Sequence, residues 1–107
     1  MEIRDIQGYE SLYAVSDDGR VWSKIRQKWL KVADNGKGYL KVILCKNGER
    51  KPCFVHRLVA QAFIENPDNL PEVNHKNEVK TYNRVDNLEW CTSKYNINYR
   101  KSQSKSY

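Results

Sequence analysis

Residues 73–96, VNHKNEVKTYNRVDNLEWCTSKYN, decide how the rest of the chain is read. A short apolar run ends in the adjacent pair Asn74 and His75. Asn87 follows twelve residues after the histidine and Asn96 nine residues later. Between them lie a polar loop, the short apolar segment Leu88, Glu89 and Trp90, and a helix start at Thr92 and Ser93. The pattern predicts strand, loop, strand, helix, with one imidazole and three amides aimed at one place.

That set of groups suits metal-assisted phosphodiester cleavage. The reaction needs a water deprotonated, the extra phosphate charge stabilised and the leaving alkoxide neutralised. His75 can supply the first, because an imidazole of ordinary pKa, ~6.5, is largely neutral at physiological pH. A base needs a partner on its other ring nitrogen to fix the tautomer, and an amide or carbonyl from the Asn87 region can reach across the two strands. Asn74 and Asn96 offer hard side-chain oxygens of the kind that hold Mg²⁺ or Mn²⁺ beside water and substrate phosphate. Two neutral amides would hold a free ion weakly, so metal binding is expected to depend on DNA. Asn77 and Asn83 read as loop and turn residues. The residues alone leave a structural role for the Asn-His cluster open, since Asn is a common turn residue.

Outward from this stretch, the period of the apolar residues divides the chain. LYAVS (residues 12–16), the Asp17-Asp18-Gly19 turn and Arg20-Val21-Trp22-Ser23 read as a hairpin, with Ile3 and Ile6 as anchors before it. KWLKV (28–32) is a candidate third strand. YLKVILC (39–45), the Lys46-Asn47-Gly48 turn and residues 50–55 form a second hairpin. Together they predict a small antiparallel sheet with a basic polar face. From His56 the spacing becomes helical, with Leu58, Val59, Ala62 and Phe63 on one face and Arg57 and Gln61 on the other, ending by Asn66-Pro67. The final SQSKSY reads as a disordered tail.

A chain of 107 residues allows one domain, or two small units sharing a core. Its net charge of +6 and pI near 9.3 favour a polyanionic partner, of which nucleic acid is the commonest. Cys45, Cys53 and Cys91 are odd in number and contain no C-x-x-C pair, which argues against a disulfide framework or structural zinc and for reduced, half-buried thiols. No signal peptide or membrane-length apolar run is visible.

VHRLVAQAF (55–63), PEVNHKN (71–77), NRVDNLEW (83–90) and YN (95–96) closely resemble the HNH homing endonucleases of phages and mobile introns. IQGYESLYAVSDDGRVWS (6–23), LK (30–31) and GYLKVIL (38–44) resemble the nuclease-associated modular domain that often precedes this class. The two motif sets occur in the expected order and cover the chain to about Asn96. The resemblance implies a ββα-metal fold, in which a hairpin and a following helix grip one divalent ion. Carried over by position, it makes His75 the general base, Asn87 the residue that braces the loop and orients the histidine, and Asn74 and Asn96 the metal ligands. The family often has Asp where this chain has Asn74; the amide keeps the oxygen and loses the charge. The family also often carries a C-terminal helical DNA-binding module, which these 107 residues do not show, so a compact nuclease, a truncated element or one half of a dimer are the forms expected.

The resulting expectation is an α+β protein. Residues 1–54 form a β-rich nuclease-associated module, 55–101 the HNH ββα-metal motif, and 102–107 a disordered tail. It is expected to be a metal-dependent endonuclease that nicks double-stranded DNA, or cuts both strands as a homodimer, with Mg²⁺ the first choice and Mn²⁺ the second. A phage or mobile-element origin and the bacterial cytoplasm follow from the resemblance. Arg57, Lys76, Arg84, Lys94, Arg100 and Lys101 are candidate phosphate contacts around the site, and Arg20, Lys24, Arg26 and Lys28 a basic cluster on the first sheet. His56 reads as structural, satisfying itself at a helix terminus. Trp90 and Phe63 read as core. The rival readings are a DNA-binding module with a decayed HNH site, and an interaction domain whose Asn-His cluster only stabilises loops.

Overall fold

Apolar alternation builds two separate antiparallel sheets in the first half of the chain, where the sequence suggested one. The structure, a computed structural model, describes residues 1–34 and 36–92. The first sheet has the order β1 (Ile3–Asp5), β2 (Tyr13–Ser16), β3 (Val21–Ser23), β4 (Lys28–Trp29). The second has the order β5 (Ala33–Asp34), β6 (Leu40–Lys46), β7 (Glu49–Phe54). Helix α1 (Val55–Phe63) follows β7 directly, and β8 (Glu72–His75) and β9 (Leu88–Cys91) form a two-stranded antiparallel sheet. The predicted strand 28–32 is shorter because its ladder ends at Trp29; Lys31 and Val32 are exposed, and the chain moves on to pair with β6 instead.

Each element follows from its residues. Along β6, Val42 and Leu44 point into the core while Ile43 and Cys45 point out, the period-two alternation of a half-buried strand. Its turn to β7 has Asn47 and Gly48 both at positive φ, as the two-residue hairpin turn that fits strand twist requires. Pro52 is tolerated in β7 because β7 is an edge strand. In β2 all four residues are buried, so the strand is covered on both faces. Ile6 anchors the N-terminus in the core, but Ile3, expected to do the same, is exposed.

One core unites these pieces. Val15 and Val21 from the first sheet, Val42 and Leu44 from the second, Val55, Leu58 and Val59 from α1, and Val73 and Leu88 from the last hairpin form a single cluster. The first two sheets are also joined by a polar contact. β5 pairs only with Leu40 and Lys41, which leaves the rest of that edge of β6 without a strand, and there the Cys45 N–H donates to the Tyr13 hydroxyl at 3.0 Å. Helix α1 holds the final hairpin at both ends. Arg57 donates to the Pro71 carbonyl at 2.8 Å just before β8, and the Trp90 indole N–H donates to the Ile64 carbonyl at 3.0 Å. Trp90 and Phe63 are half-buried against the core, the latter under the Arg4 guanidinium.

Candidate active site

The hairpin β8–β9 places His75 at the last pair of the ladder, opposite Leu88, with Asn74 opposite Glu89. Neighbouring residues on a strand face opposite sides, so Asn74 and His75 leave the backbone in different directions. Both are buried, Asn74 at 3% and His75 at 5% exposure. The His75 ring lies in a group of rings: His56, from the first turn of α1, is 5.0 Å away between centroids, and Tyr39, from the loop before β6, is 6.1 Å away. A cavity of about 240 Å³ opens beside His56, with Lys37, Tyr39, Phe54 and Arg57 in its walls.

The loop between β8 and β9 is braced from its end. Asn87 closes the short 3-10 turn Val85–Asn87 and turns its amide back into the loop. Its Oδ1 accepts the Asn77 N–H at 3.1 Å, and its Nδ2 donates to Asn77 Oδ1 at 2.9 Å and to the Tyr82 carbonyl at 3.0 Å. Its own carbonyl accepts the Lys76 N–H at 2.8 Å. Within the Asn87 region it is Asn83, and not Asn87 itself, that meets the imidazole. His75 Nε2 lies 2.7 Å from Asn83 Oδ1, a hydrogen-bonding distance. Asn83 is 3% exposed. From the sequence it reads as a turn residue, and nothing in its spacing separates it from Asn77; its place depends on the path of the whole loop.

Electrostatics favour a neutral His75. Burial lowers its pKa, the hydrogen bond to Asn83 opposes that, and the Lys80 ammonium lowers it further. His56 is pushed down to about 3, by burial first and then by the neighbouring His75 and Arg57 charges. His56 does not satisfy itself at the helix terminus as expected: its Nδ1 is buried with no hydrogen-bond partner among the described residues. Lys80, which no motif in the sequence marks, lies over the Tyr39 ring at 4.9 Å and so beside the site.

For a metal ion the described residues supply part of a donor set. Asn74 stands in the hairpin with its Nδ2 buried and without a partner among the described residues. Among the described residues no three His, Cys, Asp or Glu side chains gather to hold an ion. The hard amide oxygen of Asn74 fits Mg²⁺ or Mn²⁺ by its chemistry. The second expected ligand, Asn96, lies outside the described residues, as do Lys94, Arg100 and Lys101 and the helix expected after Thr92.

The basic residues are distributed unevenly. Arg57 contacts Glu72 at 3.4 Å as well as Pro71, and Arg84 lies 3.6 Å from Asp86. On the first sheet Arg20 packs over Trp29 at 4.3 Å and Lys24 is paired with Asp5 at 2.7 Å, while Arg26 and Lys28 are exposed. The turn before Arg20 is hydrogen-bonded to the loop that carries Arg84, through Val85 N–H and the Asp17 carbonyl at 3.0 Å. The thiols are all free: Cys45 is exposed, Cys53 intermediate and Cys91 buried, so only Cys53 is the half-buried thiol expected. No helix among the described residues is long and apolar enough to cross a membrane.

Comparison with known proteins agrees with this fold. Residues 1–45 match the NUMOD4 motif. The chain is 46% identical over 96 residues to the uncharacterized HNH endonuclease L245 of Acanthamoeba polyphaga mimivirus, covering 89% of this chain and 29% of that protein. It is 41% identical over 103 residues to the DNA endonuclease I-HmuI of Bacillus phage SP01, covering 96% of this chain and 59% of the relative. A solved structure of the HNH homing endonuclease I-HmuI, described for its DNA binding and cleavage, matches with a TM-score of 0.90 at 39% identity over 100% of this chain and 62% of that one. The chain thus spans less than two thirds of the length of these relatives.

Proposed function

The chain belongs to the HNH homing-endonuclease family and carries a NUMOD4-type module in its N-terminal part, and on that premise we propose that it is a divalent-metal-dependent endonuclease acting on double-stranded DNA. The observation that carries the reading is the His75 imidazole, buried at the end of β8 with Nε2 hydrogen-bonded to Asn83, beside Asn74 in a hairpin braced by Asn87. Residues 1–54 are taken as the module and the hairpin that follows α1 as the core of the nuclease motif.

In the mechanism, His75 accepts the proton of the attacking water. Burial keeps the ring neutral and so ready to accept it. Asn87 holds the loop that follows His75, which limits where the ring and the phosphate can meet. Asn74 and Asn96 would hold the divalent ion. When bound, that ion stabilises charge on the phosphate and the leaving oxygen. Arg57, Lys76 and Arg84 near the hairpin, with Lys94, Arg100 and Lys101, are assigned to phosphate contacts, and Arg26 and Lys28 to the DNA flanking the site. A single site per chain nicks one strand; a homodimer would cut both.

The neutral Asn74, with no cluster of acidic or imidazole ligands among the described residues, favours one second reading, a DNA-binding module with an inactive site. A supercoiled-plasmid assay separates the two. Conversion to open circle that requires Mg²⁺ or Mn²⁺ and is lost in His75→Ala is the expected result. Plasmid binding at low salt without conversion in any divalent ion would replace the nuclease by the binding module.

A further inference from the structure

We propose that the β2–β3 turn of the N-terminal module is a positioning element of the nuclease site. It seats Asn83, and Asn83 in turn holds His75 as the Nε2–H tautomer with Nδ1 free to take the water's proton. The inference deepens the reading of His75 as the base and rests on it.

Three observations converge. First, the hydrogen bond between His75 and Asn83 is short, at 2.7 Å, and both residues are at least nine-tenths buried. The other end of the Asn83 amide, Nδ2, is buried with no partner among the described residues. A purely structural asparagine would satisfy both ends of its amide; this one presents its oxygen to the ring and leaves its donor unmet. Second, Asn83 is seated against Gly19. A Cβ on Gly19 would lie 2.8 Å from Asn83 Cβ and 2.9 Å from its carbonyl oxygen, closer than real contacts allow. The neighbouring backbones are joined by the 3.0 Å hydrogen bond from Val85 N–H to the Asp17 carbonyl. Third, the turn is itself stiff. Ser16 is fully buried, its hydroxyl bonds the Asp18 carboxylate and accepts the Arg20 N–H at 2.8 Å, and Gly19 N–H donates to the Ser16 carbonyl at 3.1 Å.

Gly19 therefore meets two demands at once. Its φ of +88° suits glycine, and its missing Cβ leaves room for Asn83. Gly8 meets only the first: its φ is +85° and nothing lies within 4 Å of the Cβ position. The pair is a matched control, since alanine at either site bears the same backbone strain but only Gly19→Ala also pushes on Asn83.

The test has two arms. In metal-free wild-type protein, the ¹⁵N shifts and long-range couplings of the His75 ring report its tautomer without any need for activity. Nε2–H is expected, with loss of that single tautomer in Asn83→Ala and its retention in Asn83→Asp, which keeps the accepting oxygen. In the second arm, single-turnover cleavage with Mg²⁺ should be at least ~10-fold slower in Asn83→Ala and Gly19→Ala, the size typical of losing an outer partner of a site histidine, with DNA affinity unchanged and Gly8→Ala at the wild-type rate. An Nδ1–H tautomer in the wild type, or a Gly19→Ala rate equal to that of Gly8→Ala, overturns the proposal. Should Gly19→Ala fail to fold, the ring tautomer in Asn83→Ala and Asn83→Asp decides. A wild type that does not cut DNA removes the nuclease reading, and the tautomer arm still tells whether Asn83 sets the ring.

Discussion

Acidification from pH 8 to pH 5 should destabilise the fold, and His56 is the reason. The ring is 7% exposed, packed against Tyr39, Phe54 and His75, with its Nδ1 unpartnered among the described residues and its pKa pushed down to about 3. In the unfolded chain the same imidazole titrates at about 6.5. Between those values the unfolded state binds a proton that the folded state refuses. The stability tied to a neutral His56 is thus complete above pH ~6.5 and is lost as pH falls towards the folded value near 3. At pH 5, one and a half units below the unfolded pKa, the loss is about 2 kcal/mol, or roughly 10 °C in Tm for a domain of this size. His75, also lowered by burial, acts in the same direction. The assay is urea or thermal unfolding in EDTA from pH 8 to 5, run on the wild type and on His56→Phe. Phenylalanine fits among the neighbouring rings and carries no proton, so its curve should be flatter by about 2 kcal/mol over that range. Parallel curves for the two proteins would refute the reasoning, because the acid sensitivity would then lie in some other group.

Three further outcomes are expected. Asn87→Ala removes the three side-chain hydrogen bonds that tie Asn77 and Tyr82 into the loop, and should cost about 2–3 kcal/mol in urea unfolding while speeding amide exchange at Asn77. Asn74→Asp adds the charge that the hairpin lacks at its proposed ligand, so it should lower the Mg²⁺ concentration giving half-maximal plasmid cleavage; an unchanged metal dependence would argue against Asn74 as a ligand. Cys45 is exposed whereas burial pushes the Cys91 thiol up to about 11, so native-state alkylation followed by mass spectrometry should find Cys45 modified first and Cys91 only after denaturation.

Much of the fold was legible because it rests on local rules. Alternation in YLKVILC marked β6, Asn47-Gly48 marked its turn, and the change to helical spacing at residue 56 marked α1. What was not legible depends on the path of the chain between elements. The division of the first half into two sheets follows from where β4 stops and β5 begins, two-residue strands with no periodic signal of their own. The choice between Asn83 and Asn87 is of the same kind. Both lie in a polar region, and a count of residues favours neither. The 3-10 turn at Val85–Asn87 sends the Asn87 amide back into the loop, and a hairpin turn some sixty residues earlier in the chain presses Asn83 towards the ring.

The same geometry explains why so much polar surface is buried in so small a protein. Asn74, His75, Asn83, Asn87 and His56 are all buried, and three of their side-chain atoms lack partners among the described residues. Each unmet buried group costs about 1–3 kcal/mol, a large share of what a domain of this size has to spare. An apolar core could replace them with a gain in stability, so their presence argues for a use other than folding. The cost is borne where α1, the last hairpin and the module's turn meet over one shared core. The module's turn touches Asn83 directly, so removing the module would leave that residue without its seat. The N-terminal sheet is thereby part of what shapes the site, in addition to any contact it makes with DNA.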